Sequence, residues 1–333
     1  MSQSIRPALA LTLLALTLAC ADRGHDLPDP NAAPVDIYMA GDADLGQGLK
    51  GVVWKNGVAA TVGTTSYILT GVQVAGGVVY TCGYATGSSG AYWKDGVPTY
   101  LSDPADPLQS SGANALAVSG GDVYVAGYAW KSGPDSPYGL TVPTYWKNGV
   151  PVTIGGGSRE LTCVAASGGD VYVGGSINAG VLVAAYWKNG IPNLLPSGSG
   201  AAAVLGLTLA GADVYATGYV YAGGHTVPVY WKNGVAVTLP DLGYGGQGIA
   251  IRVSGGDVYV AGAQYQNNGP ALAVYWKNGA VTSVGPGTVT GLALQGSDVY
   301  MCGSNGNAML WKNGGATALT RNVTFNAIWV QAQ

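Results

Sequence analysis

One phrase recurs along this chain and constrains its fold more than any other feature. "SGGDVYVAGY" from Ser119 returns as "SGGDVYVGG" from Ser167, "AGADVYATGY" from Ala210, "SGGDVYVAG" from Ser254 and "QGSDVYMCG" from Gln295. Weaker copies begin at Asp36, "DIYMAG", and at Val78, "VVYTCG". A second phrase follows each copy: "VWKNG" ending at Gly57, "YWKDG" at Gly96, "YWKNG" at Gly149, Gly190, Gly234 and Gly279, and "LWKNG" at Gly314. Both phrases therefore occur seven times, at a period of about 44 residues, which is the range of propellers and solenoids.

Four short alternating runs fill each period. In the third they are "ANALAVS", "DVYVAGY", "VPTYWK" and "VPVTI", strands a to d. Gly-Gly separates a from b, and Asn-Gly or Asp-Gly separates c from d; both are hairpin turns whose residues need positive φ. Seven units of four antiparallel strands describe an all-β, seven-bladed β-propeller over residues 36–333. The alternative, a solenoid, needs capping repeats that the sequence does not display. The ends favour the ring. The first unit lacks strand a, while "FNAIWVQAQ" from Phe325 is a surplus strand a, so the C-terminal strand completes the first blade and leaves no open edge.

Composition supports an all-β body. Glycine is abundant at 55 residues, charged residues make up 9%, and Glu160 is the only glutamate, too few charged helix formers for many amphipathic helices. A net charge of −3 gives no basic footprint for nucleic acid. Cys82 and Cys302 occupy the slot of Ala126, and Cys163 aligns with Ala115, so these three cysteines are expected as small buried free thiols.

Strand alternation assigns the faces. The a-b and c-d turns share one face, where Asp36, Asp122, Asp170, Asp213, Asp257 and Asp298 should meet the lysines of "WKNG" as cross-strand pairs. These pairs read as solvated turns, and each Trp of "WKNG" as an inter-blade wedge. The variable b-c and d-a loops occupy the opposite, long-loop face, where a rigid scaffold usually carries binding.

The candidate ligand-binding residues are Trp130 and Tyr138 in the longest b-c loop (128–144), Arg159, Glu160, Asp241, Tyr244 and Arg321 in d-a loops, and Arg252, the one charge in the second column of the channel wall. Arg252 and Arg321 are expected to flank the channel mouth, and Trp130 and Tyr138 to form an aromatic rim. With histidine only at His25 and His225, neither a Ser-His-Asp triad nor a His-rich zinc site can be assembled, and no cofactor, metal or catalytic residue is assigned. Asp42 and Asp44 in "GDADLGQG" supply oxygen ligands but lack the rest of a calcium loop.

Two resemblances bear on address and family. Residues 1–19 have a basic start and a short apolar core, as in a secretory signal, and "TLAC" is similar to the lipobox of bacterial lipoproteins. That likeness implies that Cys20 is lipidated, that residues 20–35 form a Pro-rich tether, and, with Ala21 after the cysteine, that the chain is exported to the outer membrane as a lipoprotein. The repeats themselves resemble bacterial "DVYVAGY...YWKNG" propeller proteins, distantly similar to the kelch and NHL classes, a likeness that implies architecture and no activity. The expected function is a monomeric, non-catalytic propeller of the cell envelope that binds a protein or glycan through its long-loop face. The alternatives are a carbohydrate-active enzyme and a structural part in outer-membrane assembly, as in the propeller lipoprotein of the barrel-assembly machinery.

Overall fold

Tight turns dictate the order of the strands. At every c-d turn the first residue is left-handed, from Asn56 (φ 51°) and Asp95 (φ 46°) to Asn313 (φ 49°), and the glycine that follows shares that hand. Such turns match the twist of antiparallel strands and lock their register. A computed structural model describes residues 34–333 except 45, 47, 64–65, 86–88, 103–109, 134–135, 156–157 and 320–321, and at 132, 133, 136–139, 158 and 159 it describes the backbone alone. Cys20, the tether up to residue 33 and Arg321 lie outside the described residues.

Among the described residues twenty-eight strands, β1 to β28 in chain order, form seven four-stranded antiparallel sheets. Blade 1 has the order β28-β1-β2-β3, with β1 at Val35–Asp44, β2 at Leu49–Lys55, β3 at Val58–Val62 and β28 at Val323–Ala332. Blades 2 to 7 each use four consecutive strands, beginning with β4 (Ile68–Ala75), β8 (Ser111–Ser119), β12 (Ser158–Ser167), β16 (Ala202–Ala210), β20 (Gly246–Ser254) and β24 (Thr288–Gln295). These first strands touch in a closed circuit that runs from β28 through β4 and round to β24 and back. The chain is thus a seven-bladed propeller closed by its C-terminal strand, with Val35 opposite Ala332 and the Gln333 amide donating to Asp36 Oδ1 at 2.8 Å. Among the described residues no helix is long and apolar enough to cross a membrane.

Each innermost strand carries a β-bulge, and the bulge stitches the ring. The extra residue sits at position 70, 114, 162, 205, 249, 290 or 326. Where it is polar it donates to a carbonyl of the next blade: Asn326 to Leu69 O (2.9 Å), Thr70 to Ala113 O (2.7 Å), Asn114 to Leu161 O (2.9 Å), Thr162 to Val204 O (2.7 Å) and Thr290 to Phe325 O (2.7 Å). Leu205 and Ile249 interrupt this circuit on either side of blade 6.

The core is divided among the seven seams between blades. Trp187 of blade 4 packs with Tyr124, Tyr145 and Ile154 of blade 3, and the other "WKNG" tryptophans do the same at their own seams, all buried. Trp231 and Trp276 also donate to the Pro196 and Pro240 carbonyls of the preceding blade, each at 2.9 Å. Inter-blade wedging, as read from the sequence, is therefore their role. Cys82, Cys163 and Cys302 are free and buried, and burial pushes their thiols up to about 12.

On the short-turn face the expected ion pairs form in six blades. Lys55 meets Asp36 at 2.7 Å, and Lys147, Lys188, Lys232, Lys277 and Lys312 meet their aspartates at 2.8 to 3.1 Å. The turn asparagine joins each pair: Asn56 Nδ2 donates to Asp36 Oδ1 (2.8 Å), and its Oδ1 accepts the Ile37 N–H (2.8 Å). The lysine also lies over the tyrosine of "DVY", as Lys55 does over Tyr38 at 5.2 Å. The motif is a turn clamp repeated around the disc.

Candidate functional site on the long-loop face

The non-repeating chemistry is concentrated where the b-c and d-a loops emerge, and the best-formed group lies between blades 5 and 6. Strand β17 (Asp213–Ala222) and strand β18 (His225–Lys232) pair Ala222 with His225 and Tyr221 with Thr226 across the Gly223-Gly224 turn. The d-a loop that follows blade 5 is pinned at Pro240, whose carbonyl accepts both Gln264 Nε2 (2.8 Å) and Trp276 Nε1 (2.9 Å). That anchor delivers the next residue, Asp241, to His225, with Nε2 3.5 Å from Oδ2.

The environment leaves Asp241 with spare accepting capacity. Its Oδ1 takes the Gly243 N–H at 2.7 Å, whereas the buried Oδ2 has only the His225 contact and no hydrogen bond. Buried carboxylate oxygens are normally saturated, so an unfilled one marks a place for a donor. Exposed Tyr244 stands on the same loop and exposed Tyr265 is bonded to it, while Tyr221, also exposed, donates its hydroxyl to the Gly224 carbonyl of its own turn at 2.9 Å. Gly245 (φ 103°) lets the loop pass between Tyr265 and Thr226, since a Cβ there would stand 3.2 Å from the Tyr265 ring and from Thr226 O. The Gly245 carbonyl accepts the Tyr265 N–H at 2.8 Å and fixes that ring to the same loop.

Of the residues expected from sequence, Asp241 and Tyr244 are brought together here. Glu160 belongs to a separate group at the seam of blades 3 and 4, where it accepts from Asn114 Nδ2 at 3.3 Å. The side chains of Tyr138 and Arg159, and Arg321 as a whole, are outside the described residues. The segment expected as the longest loop is instead mostly strand: β9 (Asp122–Gly133) and β10 (Ser136–Lys147) extend the b-c hairpin, with Trp130 opposite Thr141 and 40% exposed. Its β-branched and aromatic residues keep pairing where a loop would have released them.

Arg252 requires a correction. Strand β20 runs from the long-loop face to the short-turn face, and Arg252 is two residues from its end, opposite Tyr259. It lines the channel near the Asp/Lys turns rather than the mouth. Its guanidinium donates to the Ile251 carbonyl at 2.8 Å, and burial lowers its pKa.

A second, polar recess of about 420 Å³ lies between blades 7 and 1, lined by Asp42, Asp44, Ser304, Asn307, Asn322 and Thr324. Burial raises the Asp42 pKa, opposed by the Asn326 amide at 3.4 Å. Among the described residues no group of three or more His, Cys, Asp or Glu is arranged to hold a metal ion.

The sequence reading singled out neither Tyr221 nor Tyr265, and it treated His225 only as an isolated histidine. The available signal was local: His225 and Tyr221 flank a Gly-Gly turn, and "PDLGYGG" from Pro240 is a glycine-rich loop ahead of the next blade.

No protein-family model and no curated protein matches this chain. Among solved structures it is similar to a puromycin-hydrolyzing peptidase of Mycobacterium tuberculosis, with a TM-score of 0.55 and 12% identity over 86% of this chain and 52% of that one. The chain thus spans about half the length of that peptidase. The computationally designed Ika8 protein aligns with a TM-score of 0.49 and 16% identity, covering 86% of this chain and 92% of that one. At such identities the likeness to the peptidase establishes the propeller fold alone.

Proposed function

We propose that this chain is a non-catalytic binding propeller of the cell envelope that holds a carbohydrate on its long-loop face, at the seam of blades 5 and 6. The observation that carries this reading is the exposed pair Tyr244 and Tyr265 held to the loop that carries Asp241. Sugars present apolar C–H faces that lie on aromatic rings and hydroxyls that donate to carboxylates, so both halves of the site have a counterpart. The rigid blades pre-pay the ordering of these groups. The envelope address rests on the signal-like leader and the lipobox-like "TLAC". Catalysis by paired carboxylates has less support, because Glu160 and Asp241 are engaged by different neighbours, Asn114 and His225.

Binding to a panel of immobilised glycans tests the reading. Tyr244→Ala and Tyr265→Ala should each weaken capture about tenfold without changing the melting temperature. The triple substitution of Lys147, Lys188 and Lys232 by Ala on the opposite face should leave it intact. Unchanged capture by both tyrosine variants would move the site elsewhere, and capture of a protein in place of any glycan would replace the ligand class.

A further inference from the structure

The repeat is broken most heavily at one seam, and the breaks converge on one cavity. At five seams the tyrosine before the "WK" of one blade packs with the valine of the next blade's "DVY", as Tyr92 does with Val123, Tyr145 with Val171 and Tyr275 with Val299. Leu310 plays this part between blades 7 and 1. Blade 1 has only Val53 at this position, facing Val79 of blade 2. A side chain that supplies a ring elsewhere is missing, and close-packed interiors do not close over a gap of that size.

The gap is open. A cavity of about 680 Å³ lies between blades 1 and 2 on the short-turn side, walled by Tyr38, Val53, Val62, Val79 and Thr81, with Lys55 and Asp95 at its rim. Volumes of this order suit small molecules. Two further departures from the repeat, Thr81 and Asp95, line the same cavity. Thr81 stands where the other blades carry Val, Ala or Met, and it is 2% exposed. Val78 replaces the aspartate of the turn clamp, and Asp95 replaces the asparagine. The Asp95 carboxylate accepts the Val79 N–H at 2.9 Å, and among the described residues no lysine pairs with it, whereas in the other six clamps the lysine pairs with the aspartate that Val78 replaces.

We propose that this seam is a binding pocket for a small aromatic molecule carrying a hydroxyl, with the ring taking the volume that a tyrosine fills at the other seams. The apolar walls bury the ring, the Thr81 hydroxyl meets a polar atom at depth, and substituents extend toward Asp95 and Lys55 at the mouth. The site is independent of the glycan reading, since it lies on the opposite face of the disc.

The experiment uses p-cresol, the side-chain analogue of tyrosine, titrated into the full chain by calorimetry and by ligand-observed NMR. Saturable binding is expected with a Kd on the order of 1 mM. Val53→Tyr, which restores the repeat, should weaken it at least tenfold and raise the melting temperature. Val53→Leu, matching Leu310, should fall between and keeps the test available if the tyrosine variant does not fold. Thr81→Val should weaken p-cresol about threefold or more while leaving toluene unaffected. Absence of saturable p-cresol binding by the wild type, or equal binding by the Val53 variants, overturns the proposal.

Discussion

Cys82 lies directly opposite Gly71 in blade 2, and a Cβ on Gly71 would stand 2.9 Å from the Cys82 sulfur. The same paired site recurs in every blade, and its two residues trade volume. Gly291 faces Cys302, Gly174 faces Cys163 and Gly206 faces Thr217, while blades 1, 3 and 6 place alanine against alanine. Glycine is needed wherever its partner is larger.

Gly71→Ala should therefore destabilise the protein by about 1–3 kcal/mol through overpacking against Cys82 and Leu116. Adding Cys82→Ala recreates the alanine pair of blade 3 and should recover most of the loss. Urea unfolding of the two single variants and the double variant checks this, and additive losses would show that the two positions do not share one volume.

Acid should loosen the short-turn face. The Asp36 carboxyl is held down to about 2, mainly by Lys55 and then by Gln333 and Asn56, and Asp122, Asp170, Asp213, Asp257 and Asp298 shift in the same direction. A carboxyl whose folded pKa lies below its unfolded value of about 3.9 contributes stability above that value and loses it as pH falls toward the folded pKa. The melting temperature should drop between about pH 4 and pH 2, less steeply in Asp36→Asn. Asp42 has the opposite sign: its raised pKa means that ionisation costs stability at neutral pH. Asp42→Asn should melt higher at pH 7, and calorimetry across pH reads both effects.

The incomplete clamp of blade 2 can be completed. Val78→Asp alone sets a second carboxylate near Asp95, whereas Val78→Asp with Asp95→Asn supplies Lys94 and Tyr80 with the partners found in six other blades. The double variant should melt about 1–2 °C above the Val78→Asp single variant. A double-mutant cycle with no coupling would mean that each turn residue acts alone.

Ring closure should depend on the last strand. Removing residues 325–333 leaves β1 with an unpaired edge and takes Phe325, Ile328 and Val330 out of the blade 7/1 core. Aggregation by size-exclusion chromatography and loss of the cooperative thermal transition are expected. Gln333→Ala, which forfeits one hydrogen bond to Asp36, should still fold.

The blade count, strand order and closure were legible because each is written in short-range chemistry: Asn-Gly and Gly-Gly turns, and alternating apolar residues between them. The Asp/Lys pairs were legible for the same reason. The direction of β20 was implicit in the same turns, so Arg252 near Gly255 could have been placed at the short-turn end from sequence. The meeting of His225 with Asp241 was not, because it depends on the Pro240 carbonyl being held by donors from another blade. The bulge stitches were equally hidden, since a threonine on a strand looks the same whether its hydroxyl faces solvent or a neighbouring carbonyl.

The partnership of β1 with β28 also sets a schedule for biogenesis. β1 is made first and its inner neighbour last, so at about 5–20 residues per second a ribosome takes roughly 15–60 s to supply the missing strand. Through that interval blade 1 exposes backbone that any neighbouring chain, or any of the six other innermost strands, can capture. Nascent copies emerging side by side on one messenger are thus at risk of exchanging terminal strands, and a holdase that shields the first hairpin until synthesis ends would raise the yield of monomer over linked dimers.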